Sequence, residues 1–439
     1  MEYIFSIGYN LLLLPAFYIS AKILFLFKQK IRSGFKGRKE LAKHLRAKIS
    51  QLDKSKDNIL VHCSSLGEFE QAKPIIDELD KTDKFNLIVS FFSPSGFNHS
   101  KFDHSLQSKV IKTYIPFDSK SSMKEFVGII NPKAAIVIKY DLWLNFLNQL
   151  KSNGCRLILA NAAINGDRLK NKFFLYRQFK KLLYSKFDLI CCTDISEKEN
   201  FAKIIGSDEN IFVAGDTKYE RIENALRQNQ NKTNIIEDFV KDKFVFVVGS
   251  SWNEDEDVLF PAMDKISFNG VLNNKKLLSI VAPHEPTEEN IEELEFKLSS
   301  NFPNLKAIRF SELNKYKDES LIVVDSVGLL MNLYKYASIA FVGGGFRTGL
   351  HNVLEPAGNS IPVLFGNNKI SDDAKRLVLF GGGIPVKDAE SLYQIMSKLI
   401  SDEKLRTETG EHASYLFKEK SEASKKIIQK MFELIQEKN

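Results

Sequence analysis

Two hydrophobic rhythms run along this chain. From about residue 57, short and nearly continuous apolar runs alternate with longer stretches whose apolar side chains recur every three or four positions. The first kind predicts strands buried on both faces of a parallel sheet, and the second predicts the helices that cover them. Residues 58–63, 85–91, 134–138, 156–160 and 189–192 give the strands of a first half, with helical stretches such as 71–79 and 142–150 between them. A polar, amide-rich stretch at 224–234 shows no apolar period and reads as a linker. The rhythm restarts at 244–248, 277–281, 321–325, 339–342 and 362–365, and a charged helical segment runs from about 403 to 437. This alternation predicts an α/β protein of two Rossmann-like domains facing a central cleft. The sequence has no repeat period and no low-complexity tract.

A different pattern precedes the first strand. Tyr3 to Ala21 is 19 residues without a charge, and Ile23 to Phe27 continues the apolar run past Lys22. That length can cross a hydrocarbon core, although Asn10 and Pro15 interrupt it, and the same run can instead lie in the interface. The start is Met1-Glu2 and the basic residues follow the apolar run, the reverse of a secretory signal peptide. Lys28, Lys30, Arg32, Lys36, Arg38 and Lys39 form a juxtamembrane cluster that would keep the domains cytoplasmic and favour anionic lipid. Residues 1–50 hold ten basic and two acidic side chains, whereas the other 389 hold 52 and 53. The net charge of +7 therefore describes one segment, which speaks against a nucleic-acid partner. The expectation is a membrane anchor.

Composition narrows the class further. With 439 residues, 44% hydrophobic and 27% charged, the chain can fill two or three cores and is neither disordered nor polytopic. Cys63, Cys155, Cys191 and Cys192 show no C-x-x-C spacing, so no zinc ribbon or disulfide framework is expected. Reduced thiols fit a cytosolic body. The signatures of zincins, α/β-hydrolases and P-loop NTPases are all missing.

In open α/β sheets, ligands bind beyond the carboxyl ends of the strands. The first strand is followed by Ser64-Ser65-Leu66-Gly67-Glu68, where Gly67 suits a tight turn and Glu68 falls near a helix start. The helix dipole would hold Glu68 ionised and able to take a proton from a substrate hydroxyl; alternatively, Glu68 merely complements the helix terminus. The second half carries a denser group. Gly343, Gly344 and Gly345 follow a strand, where bare backbone can approach a ligand that a Cβ would block. His351 and Asn352 are expected to open a short helix whose amides suit a phosphate, with Glu355 placed for ribose hydroxyls. Gly249-Ser250-Ser251-Trp252, Ala282-Pro283-His284 and Gly215-Asp216-Thr217-Lys218 end other strands, and each alone reads as ordinary loop chemistry.

Together these residues resemble the 3-deoxy-D-manno-octulosonic acid (Kdo) transferases of Gram-negative bacteria, a family of membrane-associated GT-B glycosyltransferases. The resemblance spans nearly the whole chain. It is most specific at Ser65-Leu66-Gly67-Glu68, Asp141-Leu142-Trp143, Ala160-Asn161-Ala162, Gly215 to Lys218, Gly249 to Trp252, and Gly343 through His351 to Pro356. It implies transfer of Kdo from CMP-Kdo to a lipid A precursor at the cytoplasmic face of the inner membrane, with inversion and without a metal or cofactor. It further implies Glu68 as general base and Asp141 as a second acidic residue. Gly249, Ser250, Ser251, the glycine triplet, His351, Asn352 and Glu355 would hold the CMP moiety, with His284 and Lys218 near the phosphate or the sugar carboxylate.

The implied domains are an anchor (1–32), an acceptor domain (33–222), a donor domain (223–410) and a closing helix (411–439) able to cross back to the acceptor domain. Some positions depart from the family. Lys139 stands two residues before Asp141 where an acidic or neutral residue is expected. Residues 161–165 lack an arginine, which Arg168 would supply, and 367–371 lack an expected aromatic. Three other readings stay open: a membrane-associated transferase using a UDP-sugar, a non-catalytic nucleotide-sugar-binding membrane protein, and a sugar-nucleotide epimerase. The last needs no lipid surface.

Overall fold

The computed structural model describes residues 2–102, 106, 109–164, 174–230, 236–269, 276–347, 349–418 and 422–436. The chain divides into two compact units, residues 1–221 with 420–439, and residues 222–419. In the first unit the strands are β1 (Asp57–Cys63), β2 (Phe85–Phe91), β3 (Val110–Tyr114), β4 (Ala134–Ile138), β5 (Arg156–Ala162), β6 (Leu189–Cys192) and β7 (Ile211–Val213). In the second they are β8 (Lys243–Ser251), β9 (Lys276–Pro283), β10 (Ala307–Arg309), β11 (Leu321–Val323), β12 (Ile339–Val342), β13 (Val363–Gly366) and β14 (Gly383–Val386).

Each unit builds one seven-stranded parallel sheet, in the orders β3-β2-β1-β4-β5-β6-β7 and β10-β11-β9-β8-β12-β13-β14. The strands are apolar on both sides because both sheet faces are covered. Leu60, Val137 and Leu159 point into one cluster of the first unit, and Ile59, Val61 and Ile136 into the other. Strand order reverses between β1 and β4 in one sheet and between β8 and β12 in the other. Those switch points are where such sheets open a crevice for a ligand.

The apolar segment folds as one helical rod, Glu2–Phe27, with an 18-residue window of mean hydropathy 1.8. One turn, Tyr9–Leu13, is π-helical. Pro15 cannot donate a backbone hydrogen bond just after it, and Asn10 Nδ2 donates to Ser6 O at 2.8 Å. The rod is docked on the first unit along its length. Lys186 Nζ donates to Glu2 at 2.6 Å, Tyr9 Oη to Asp118 Oδ2 at 2.7 Å, and Asn145 Nδ2 to Asn10 Oδ1 at 2.8 Å. Phe17 packs edge-on to Trp143 at 5.6 Å, and Tyr18 to Phe117 at 5.8 Å. The other side of the rod exposes Leu11, Leu12, Leu13, Ile19, Ile23, Leu26 and Phe27.

The basic segment is the amphipathic helix Gln29–Gly37, which ends on Arg38. Arg38 is inserted into the unit and donates to the carbonyls of Ile115, Gly34 and Phe92 at 2.8, 2.9 and 2.7 Å. Its guanidinium also lies 4.8 to 5.0 Å from the ring centres of Phe92, Tyr114 and Phe117.

The linker expected at 224–234 is corrected in its first part: helix Thr217–Gln230 runs through it. Tyr219 and Ile222 are buried on that helix and Leu226 touches Gly358, so the apolar period begins upstream of the amide-rich stretch. Residues 231–234 lie outside the described residues. The charged closing segment forms two helices, Glu403–Lys418 and Ala423–Gln436. The second packs Ile427, Ile428, Met431 and Ile435 into the first unit, where Ser424 N donates to Glu220 at 2.9 Å.

Candidate functional site

In the first unit the chemistry gathers at the β1/β4 switch point. Helix Leu66–Thr82 follows β1, and Ser65 and Glu68 close its N-terminus as a capping box. Glu68 Oε2 accepts the Ser65 N–H at 2.9 Å. Gly67 is part of the first helical turn, not of a tight turn, and a Cβ there would meet nothing closer than Ser65 Oγ at 3.9 Å. The helix terminus is not the only influence on Glu68. Burial first, then the charge of Asp141, pushes its carboxyl above the usual value, outweighing the hydrogen bonds from Ser65 and Ser64.

Asp141 follows β4 and is held from behind. His62, fully buried near the end of β1, places Nε2 2.8 Å from Asp141 Oδ2 and Nδ1 2.9 Å from Ser90 Oγ on β2. Three neighbouring strands thus aim one hydrogen-bonded line at the same carboxylate. Lys139, just after β4, has a φ of 60°, and Asn161 on β5 has 52°. Positive φ in side-chain-bearing residues stores strain and gathers at functional loops. Asn161 is not idle: its Nδ2 donates to Thr217 Oγ1 at 2.7 Å, and Thr217 donates to Gln71 O at 2.5 Å. Lys218 is paired with Asp216 at 3.5 Å. Arg168 lies outside the described residues.

In the second unit the candidates gather at the β8/β12 switch point, but the glycines serve another purpose than the one expected. A Cβ on Gly343 would lie 2.2 Å from Ser250 O, on Gly344 2.4 Å from Gly349 O, and on Gly345 2.4 Å from Gly366 O. They are small because the loop packs on protein backbone. Gly343 N donates to Gly249 O at 2.9 Å and Gly344 N to buried Asp255 at 2.8 Å. Gly249 itself makes room for Tyr334, whose Oη a Cβ would meet at 2.0 Å. Ser250 sits at a bulge with φ 56°, and Ser251 Oγ donates to Glu256 at 3.0 Å.

The side chains left to face outward are rings and a cation. Trp252 stacks on His284 at 4.4 Å, His284 on His351 at 4.3 Å, and Arg347 lies 4.1 Å from the Trp252 ring centre. His284 and Arg347 are exposed. His351 and Asn352 do not open a helix: the helix is Leu354–Gly358, and Asn352 Oδ1 accepts the Leu354 N–H at 3.1 Å while Nδ2 donates to Glu355 at 3.0 Å. Asn352 prefers this local turn to a helical bond.

Sequence reasoning missed His62, Ser90, Asp255 and Arg347. His62 sits inside an apolar strand run, where a lone histidine reads as filling. Asp255 sits in the acidic run after Trp252, which alone reads as ordinary loop chemistry, although it is fully buried.

The family model for "3-Deoxy-D-manno-octulosonic-acid transferase (kdotransferase)" matches residues 36–221. A 3-deoxy-D-manno-octulosonic acid transferase of Chlamydia pneumoniae is 25% identical over 409 residues, covering 92% of this chain and 90% of that protein. A bifunctional glycosyltransferase/methyltransferase of Fusobacterium nucleatum is 24% identical over 387 residues, 86% of this chain. The chain spans only 57% of that relative's length. Among solved structures, UDP-GlcNAc 2-epimerase of Neisseria meningitidis superposes with a TM-score of 0.59 at 12% identity, over 86% of this chain and all of that one. This likeness speaks for the fold, two parallel α/β units of GT-B type, and for nothing narrower.

Proposed function

Because the chain belongs to the Kdo transferase family of glycosyltransferases, we propose that it moves Kdo from CMP-Kdo to a lipid A precursor at the cytoplasmic face of the inner membrane. Glu68 takes the proton of an acceptor hydroxyl. The freed oxygen bonds to the ketosidic carbon of Kdo as the bond to the phosphate breaks, and CMP leaves with that electron pair. Attack opposite the leaving group inverts the centre. The observation carrying this reading is the placement of two partly buried carboxyls, Glu68 and Asp141, at the switch point, where burial and the charge of Asp141 raise the proton affinity of Glu68 and make it a more effective base. Asp141, aligned by His62, supplies the negative charge that raises Glu68 and suits an oxocarbenium-like transition state. The donor nucleotide belongs to the second unit, against His284, Arg347, His351, Asn352 and Glu355. Here the glycines shape the loop, and Gly249, Ser250 and Ser251 support it from behind.

Membrane attachment rests on the rod Glu2–Phe27. One side is bound to the first unit from Glu2 to Tyr18 and the other exposes a continuous leucine, isoleucine and phenylalanine face, which supports a helix lying in the interface instead of crossing the bilayer. An open depression of about 640 Å³ beside it, lined by Arg32, Lys36, Ser33 and Asn98 among others, suits anionic headgroups.

Glu68→Gln tests the assignment. Transfer should fall below detection, while CMP affinity changes by less than about fivefold (about 1 kcal/mol), since base and nucleotide residues lie in different units. Retained turnover would remove Glu68 from the mechanism.

A further inference from the structure

Trp252 and His351 are joined by a bond whose direction is not negotiable. An indole N–H can only donate, and Trp252 Nε1 lies 3.0 Å from His351 Nε2. Nε2 is therefore the bare nitrogen, and the neutral ring carries its proton on Nδ1. Turning the ring over would set a carbon against the indole and lose the bond. No other described residue takes up the Nδ1–H.

The indole is itself fixed. Its backbone N–H donates to Asp255 Oδ2 at 3.0 Å, and the same oxygen receives the Gly344 N–H. Arg347 lies over its ring and ion-pairs with Glu254 at 3.5 Å. Burial, then the neighbouring His284, pushes the His351 imidazole below its ordinary value, which favours the neutral form the bond requires.

We propose that Trp252 is a positioning residue that locks His351 in the neutral Nδ1–H tautomer, so that His351 offers a fixed donor to a phosphate oxygen of a nucleoside monophosphate. The ligand half rests on the donor reading above; the tautomer half does not. Without the lock, a neutral histidine divides its proton between two nitrogens, and only part of the population presents the donor.

The experiment uses full-length protein in detergent with isotope-labelled histidine. Only seven histidines are present, so His351→Gln identifies the resonance by its loss. Two-bond proton–nitrogen correlation at neutral pH should show Nδ1 protonated and Nε2 bare in the wild type. Trp252→Phe keeps a ring against His284 but removes the donor. It should give a mixture of tautomers and weaken CMP binding several-fold, with the loss falling on the donor KM more than on kcat. His351→Asn carries an amide N–H near the Nδ1 position and needs no lock, so adding Trp252→Phe should weaken CMP binding no further. A protonated Nε2 in the wild type would overturn the lock, whatever the variants do. An unchanged tautomer in folded Trp252→Phe would overturn it too. A released tautomer with unchanged CMP affinity would overturn the phosphate assignment alone.

Discussion

Glu68 stands under opposing influences. Its place in a capping box favours the carboxylate, and the sequence alone points to an ionised group for that reason. Burial and Asp141 act the other way and prevail, a balance that depends on packing and on a residue 73 positions away, neither of which is legible in a local motif. The sign of a pH test follows. A base works deprotonated, so the rate rises with pH through the Glu68 titration. Asp141→Asn removes a negative neighbour, lowers the Glu68 value and should move the acid limb of kcat/KM to lower pH, alongside a lower plateau. An acid limb unmoved in that variant would assign it to another group. The glycine triplet teaches a related lesson: its position after a strand was legible, but whether a missing Cβ makes room for ligand or for backbone is decided by Ser250, Gly349 and Gly366, which the local pattern does not reveal.

At the scale of elements, ten of the fourteen strands among the described residues are legible as apolar runs, and the four that are not, β3, β7, β10 and β14, are the two edges of each sheet. An edge strand has one neighbour and less burial, so it need not be a long apolar run. Val110–Tyr114 carries Lys112 and Thr113, Gly383–Val386 carries a proline, and the other two are three residues long. The basic segment shows the same limit. Its six cations read alike in sequence, yet Arg38 is a partly buried staple with three carbonyl partners and three rings, whereas Arg32 and Lys36 face an open depression. Arg38→Lys keeps the charge but cannot reproduce the fork of donors, and should destabilise the first unit by on the order of 2 kcal/mol. Arg32→Lys should cost almost nothing. A thermal melt of each variant separates the two roles, and equal melting temperatures would deny the staple.

At the scale of the whole molecule, the proposed transfer draws on residues of both units, and its proposed lipid acceptor would call for a surface. With Glu2 tied to Lys186, a rod lying in the membrane interface as proposed would have both ends on the side of the first unit. In spheroplasts, an impermeant maleimide should therefore leave Tyr3→Cys, an exposed position that keeps the Glu2–Lys186 pair, unlabelled until the membrane is permeabilised. The four native cysteines are buried and contribute little background. Labelling of intact spheroplasts would mean that the rod crosses. The central claim, Kdo transfer, is tested most directly by mass spectrometry of a tetra-acylated lipid A precursor incubated with the detergent-extracted protein and CMP-Kdo generated in situ, with UDP-sugars in parallel. The account predicts a product heavier by one or more Kdo units from CMP-Kdo and none from the UDP-sugars. Transfer from a UDP-sugar without transfer from CMP-Kdo would contradict it.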